Sequence, residues 1–508
     1  MSIASQTYAT YAYRRPSRLS PEGGLELQTS GGMTPSGLVA NPRFFDGFLS
    51  HPQAAAAGLL AVADVAAANY HQPRPALLDP VVTGNGDRLR FESFSGCCGV
   101  YARLDVLPEG FDGWAGHGTT NIDVNVPLRD ALSRLTGGEP LQLSAGPDEV
   151  VARTLDGPMV ERKVPLPERW VRGFGEVQVI SAGFSRRAVL PAVEAVRFLR
   201  ALPRGGAGSG SRGGSRGGSG GAQWVVPAGR TLRLTSRAVP GAVCLPGPAR
   251  LAALGRVLRF ARALTVYGPP GVDGEAPPGV DGEAVGSAWE LELPGARLTL
   301  TLSPSPARGF SGEGAVLTAL AAEGSEEDAE DVAGLLSWDP RIEVADLAEC
   351  SGLPTARVRA ALGRLGAAGR VGYDTAEAGY FHRELPFDAR FMESANPRLR
   401  DARALLAAGA VRLEEGGATE AGATKAGAGE AGGGSVGGGA AGDGSLVVAT
   451  VTADQHTNRV RLHTTAAGVA TCTCRWWARY RGGRGPCKHV LAVQLLRQTQ
   501  NIAQRSAT

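Results

Sequence analysis

Lysine is nearly missing from this chain of 508 residues: only Lys163, Lys425 and Lys488 occur, although Lys and Arg together number 52. Almost every positive charge is therefore a guanidinium, and this bias, beside abundant Ala and Gly, points to a GC-rich bacterial coding sequence. Aromatics make up 6% and methionine four residues, so no aromatic-rich or Met-rich surface dominates. No apolar run approaches the roughly 20 residues a membrane span requires. Nor does an apolar stretch follow Met1, so the expectation is a cytoplasmic protein with no membrane contact. Seven cysteines are too few and too scattered for a disulfide scaffold. Cys97 and Cys98 are adjacent, which disfavours their pairing, and Cys244 and Cys350 stand alone. Walker loop, Gly-x-Ser-x-Gly and His-Glu-x-x-His signatures are all absent, and no enzyme is expected.

A second absence is local. The formal charge is only +3, yet from Gln455 to Thr508 there is no Asp or Glu, while Arg459, Arg461, Arg475, Arg479, Arg481, Arg484, Lys488, Arg497 and Arg505 fall there. Within this cationic segment lie Cys472-Thr473-Cys474 and, twelve residues on, Cys487-Lys488-His489. Three thiols and one imidazole form a Cys₃His set that closes the tetrahedron around one Zn²⁺, leaving no open position: a structural metal. Ligand sulfurs must come within roughly 4 Å of each other, whereas side chains two apart on a flat strand sit about 7 Å apart. Cys472 and Cys474 therefore belong where a strand ends and turns. Cys487 should precede a helix and His489 occupy its first turn, with the apolar run from Val490 to Leu496 forming its face. Upstream, 446–451 and 459–463 read as two strands. Three thiolates on one Zn²⁺ leave a net charge of −1, which Arg475 and Lys488 offset.

C-x-C followed by C-x-H after a β-hairpin resembles the SWIM zinc finger, which implies Cys472, Cys474, Cys487 and His489 as zinc ligands. The resemblance covers about the last tenth of the chain, and its members are associated with DNA or protein binding.

The chain is too long for one core, and the fold class expected is multidomain α+β. Residues 1–203 read as an α+β domain: a helix at 54–69, strands at 89–94 and 100–104, a polar loop feeding an alternating strand over 116–125, a helix at 127–135, a strand at 176–180 and a helix at 188–202. His117, Asp123 and Asn125 in that loop form no site by this reading, since Gly, Thr and Asn ordinarily satisfy their own backbone. Residues 204–222 are a Gly/Ser/Arg linker. A second α+β domain follows at 223–322, with a helix at 248–263, a hairpin at 289–302 and, at 269–284, a tandem octapeptide inserted in a loop. Residues 326–410 carry helix, helix, the tight turn Ser351-Gly352-Leu353, a third helix with Arg357, Arg359 and Arg364 on its surface, then a hairpin. Together these resemble a winged helix-turn-helix. A further helix at 396–408 and a Gly/Ala-rich linker at 414–445 lead to the finger at 446–498.

Between the ligand pairs, Arg475, Trp477, Arg479, Tyr480, Arg481 and Arg484 interleave aromatics with arginines, the pattern of phosphate contact and base stacking. One of Trp476 and Trp477 is expected in the finger's core. The leading expectation is a zinc-binding adaptor that contacts nucleic acid, DNA more than RNA, through the finger and through Arg357, Arg359 and Arg364. The alternative is a protein-interaction scaffold that docks partners through the same modules.

Overall fold

Alternation of apolar and charged residues along Leu89–Phe94 and Val100–Val106 sets the architecture, because both faces of the sheet they build are covered. A computed structural model describes residues 43–70, 80–164, 166–203, 223–270, 284–322, 324–336, 339–385, 396–414, 446–453, 456–463 and 470–505, with short strands between 11 and 39. The expected linker at 204–222, the duplicated segment at 271–283 and the linker from 415 to 445 lie outside the described residues. The protein is α+β and divides into two compact units, one of residues 1–313 with 329–389 and one of 314–328 with 390–508.

The first unit is built on an antiparallel sheet of eight strands, ordered His117–Asn121, Val81–Asn85, Leu89–Phe94, Val100–Val106, Ala296–Leu302, Ser287–Leu293, Ala263–Gly268 and Ser185–Pro191. Strands from either side of 204–222 thus share one sheet, so the two α+β domains expected at 1–203 and 223–322 are a single core. Leu89, Phe91, Ala102, Leu104, Leu298 and Leu300 face the Ala-rich helix Pro52–Ala67 and its neighbours. A five-stranded sheet, Phe111–Ala115, Phe45–Leu49, Gln142–Ala145, Glu149–Thr154 and Gly157–Arg162, adds to the same unit.

Three expected elements differ. Residues 188–191 of the helix expected at 188–202 belong to the strand Ser185–Pro191, and the helix is Ala192–Ala201, because Pro191 lacks the N–H that a helix interior needs. The 176–180 strand is part of the helix Glu168–Ala182, whose Trp170, Val171, Phe174 and Val177 are buried at helical spacing. A run of β-branched residues gave way there to packing. The 248–263 helix is instead two 3₁₀ segments, Pro248–Arg256 and Leu258–Phe260. Here the backbone closes with three-residue bonds such as Arg250 N to Gly247 O at 3.0 Å.

The helices Ser325–Leu335, Val344–Ser351 and Thr355–Ala367 and the hairpin Val371–Asp374/Gly379–His382 follow the expected order. Val332, Ile342, Leu347, Val358, Leu362 and Leu365 form their shared core, and Ile342 bridges Tyr380. What was not expected is where the hairpin goes. Its Asp374 accepts from Arg90 Nη1 and Arg297 Nη2, both at 2.9 Å, and faces Arg103 Nη2 at 2.9 Å, all on the polar face of the eight-stranded sheet. Arg383, just beyond the hairpin, donates to Glu92 at 2.7 Å.

Candidate metal centre and basic helix

The second unit holds a four-stranded antiparallel sheet, Val411–Leu413, Leu446–Ala453, His456–His463 and Ala470–Cys472. Ala449, Val451, Val460 and Leu462 alternate onto one face and meet Val490 and Val493 of the helix Lys488–Arg505. The helix Pro397–Ala407, capped by Asn396, packs on that same helix, and Leu405, Val411 and Leu413 join the core. The expected placing of 396–408 with the hairpin module is therefore corrected. Its Leu405 packs against the finger's core.

Cys472 ends the fourth strand, paired with Val460. Cys474 caps a short helix, Arg475–Tyr480, its Sγ accepting from Trp477 N at 3.4 Å. Cys487 Sγ accepts from Val490 N at 3.5 Å at the start of Lys488–Arg505, and His489 lies in that helix's first turn. Strand end, turn and helix start thus carry the ligands as the spacing predicts. The four are buried, and their ligand atoms all lie within 4.8 Å of one another, with Cys472 Sγ 3.8 Å from His489 Nδ1. Tetrahedral bonds of about 2.3 Å place donors roughly 3.8 Å apart, so the residues fit Zn²⁺, with Nδ1 as the imidazole donor. Crowding of the thiols splits their acidities: hydrogen bonding with Cys474 and Cys487 pushes Cys472 far up, while the bond from Cys472 pulls Cys474 far down. A divalent cation among them lets all three ionise. Among the described residues this is the one group of three or more His, Cys, Asp or Glu close enough to share a metal.

Residues 475–480 form a helix that orients the basic side chains. Arg475, Arg479 and Arg481 are exposed, and no carboxylate among the described residues pairs with them. Arg481 adopts φ 42° at the helix end, with Gly482 (φ 85°) and Gly485 (φ 70°) reversing the chain toward Cys487. Trp476 and Trp477 are half-buried against the finger's core. Arg484 is half-buried, its guanidinium 4.7 Å over Trp476 and 4.5 Å over Tyr480. Tyr480 itself leans on Trp476 at 4.6 Å. The rings are thus already engaged within the unit. Unpredicted by spacing is Arg398 of the Pro397–Ala407 helix, which lies 4.6 Å over Trp476 and donates to the carbonyls of Arg484 and Pro486. Nothing in a Pro-Arg-Leu-Arg run signals a partner nearly ninety residues on.

On the Thr355–Ala367 helix, Arg359 is exposed, Arg357 half-buried and Arg364 buried at 8% exposure. Arg364 is therefore not on the surface as expected; it lies in the last turn, among Gly363, Leu365 and Gly366, all buried. His117, Asp123 and Asn125 form no common site: Asn125 caps the helix Val126–Arg134 through Leu128 N and donates to Glu161 at 2.7 Å. Burial, and then Asp123, push Glu161 up to about 7.

Residues 458–496, which include all four ligands, match the SWIM zinc finger family. With the donor set above, the cluster is the site of one structural Zn²⁺ in a module of the kind that engages nucleic acid or protein. No helix among the described residues is long and apolar enough to cross a membrane. Comparison with curated proteins gives no match. Among solved structures, the proliferating cellular nuclear antigen of Entamoeba histolytica is similar to part of the chain at TM-score 0.31 and 10% identity, covering 52% of this chain and 99% of that one. The PCNA2-PCNA3 complex of Sulfolobus tokodaii is similar at TM-score 0.33 and 8% identity, covering 52% and 100%. Likeness this slight carries no functional argument.

Proposed function

We propose that the second unit is a non-catalytic nucleic-acid-binding module, with DNA as its ligand, in which Arg475, Arg479 and Arg481 contact phosphates while zinc holds the helix that presents them. One observation carries this reading: three exposed guanidinia sit on six helical residues and their C-cap with no carboxylate partner among the described residues. An unpaired guanidinium in water gains most from a multivalent anion, and release of condensed counterions favours a polyphosphate over a single carboxylate. Trp477 and Tyr480 are occupied in packing, so the reading rests on backbone contact and not on stacked bases. We read residues 326–385 as a winged-helix-like segment that docks within the protein; with Asp374 committed to arginines of the sheet, its hairpin has no free wing.

Binding to a DNA duplex should weaken steeply between about 50 and 200 mM salt. Replacing Arg475, Arg479 and Arg481 together by Gln should lower the log–log slope by up to about 0.9 per lost contact while zinc remains bound. If the zinc-loaded protein retains no duplex at about 50 mM salt, the basic helix serves protein docking instead.

A further inference from the structure

We propose that Arg398 is a positioning residue of the zinc site: it ties together the two backbone segments that deliver the ligand pairs, so that the finger's metal affinity depends on a helix outside the matched motif. Cys472 and Cys474 arrive on a strand end, Cys487 and His489 on a helix start, and the intervening chain turns through Gly482 and Gly485, both at positive φ. Such a loop has little stiffness of its own. The guanidinium of Arg398 supplies it. Its Nη1 donates to Arg484 O at 2.6 Å and to Pro486 O at 3.2 Å, fixing the residues just before Cys487. The same planar group lies 4.6 Å over the ring of Trp476, two residues beyond Cys474. One side chain therefore touches the scaffold of both pairs.

Arg398 is itself held. Its own N–H donates to the capping Asn396 Oδ1 at 3.1 Å, and Leu399 and Ala402 bury the next turn. Gly314 backs this arrangement, since any side chain there would collide with the Arg398 guanidinium, and a side chain at Gly485 would collide with the carbonyl of Gly314. Lysine cannot replace this group. An ammonium has no flat face to lay on an indole while it donates to the two carbonyls. Residues that orient metal ligands from behind commonly change affinity by about 10- to 100-fold when removed.

The inference concerns the metal and does not rest on nucleic-acid binding. Its test uses the full chain with Arg398→Gln, Arg398→Lys and, as a control for lost packing on the same helix, Leu399→Ala. Zinc affinity is read by competition with a chromophoric chelator, and ligand geometry by the visible spectrum after Co²⁺ replaces Zn²⁺. Both Arg398 variants should lose about tenfold or more in zinc affinity and alter the Co²⁺ spectrum. Leu399→Ala should leave the spectrum of the loaded protein unchanged. Should Arg398→Gln fail to fold, Arg398→Lys, which keeps the stem and the charge, carries the comparison. Native zinc affinity and an unaltered Co²⁺ spectrum in Arg398→Lys would overturn the proposal. So would equal effects from Leu399→Ala.

Discussion

Asp374 shows how much one side chain can hold. Burial alone would raise its pKa, but Arg103, Arg90 and Arg297 keep the carboxyl well below the usual range. A group depressed in this way contributes stability that is present above its unfolded pKa of about 3.9 and is lost as pH falls through the lower folded value. Replacing it by Asn leaves the buried Arg90 and Arg103 and the half-buried Arg297 facing no full charge at that point. Asp374→Asn should destabilise the first unit by about 3–5 kcal/mol at neutral pH, read from the denaturant midpoint. The gap to wild type should narrow below about pH 4. A loss under about 1 kcal/mol at neutral pH would mean the arginines are satisfied by Asp105 and Glu377 without it. None of this was legible beforehand. The zinc ligands could be read because four coordination bonds restrict spacing within eighteen residues, whereas Asp374 meets Arg90 across 284 positions and looks in sequence like any Asp at the end of a short strand.

At the level of elements, regular periodicity was readable and partners were not. The three helices of 325–367 and the hairpin after them appear close to where their apolar spacing and the Gly352 turn (φ 68°) put them. Residues 176–180 look like a strand in sequence because Val177, Val179 and Ile180 favour strands in isolation, while the contacts of the Glu168–Ala182 helix come from elsewhere in the chain. Those contacts include the Thr355–Ala367 helix, which approaches so closely that a Cβ on Gly366 would lie 2.8 Å from Gln178 Oε1. Gln178 Nε2 also donates to Gly366 O at 3.4 Å. A glycine in a helix interior is normally unfavourable by up to about 1 kcal/mol relative to Ala. Here the close approach reverses that preference: Gly366→Val should destabilise the first unit by about 1–3 kcal/mol in chemical denaturation. A neutral or stabilising outcome would show that the two helices separate without penalty.

On the scale of the molecule, neither unit is a continuous stretch of sequence, and this is where reading along the chain reached its limit. Composition marks 204–222 and 414–445 as linkers, and a linker suggests independent folds on either side. Yet strands from both sides of 204–222 pair in one sheet, and the finger draws on residues from both sides of 415–445. Linker composition reports only that a segment cannot form a core; it does not report whether its flanks share one. The finger gives a direct test. Val411, Arg412 and Leu413 pair with Val451, Thr450 and Ala449, so a fragment that begins at residue 446 loses an edge strand as well as the Pro397–Ala407 helix. Its apolar face, with Val451 and Val493, then meets water on the side that Leu405 and Val411 cover. Zinc binding and folding of so small a domain are one equilibrium, so stability lost from the core appears as affinity lost from the metal. Fragment 446–505 should therefore bind zinc at least about tenfold more weakly than the whole chain, the equivalent of roughly 1.4 kcal/mol. Fragment 390–508 should recover most of that difference, and equal affinities for all three would mean the matched motif folds without the elements packed on it.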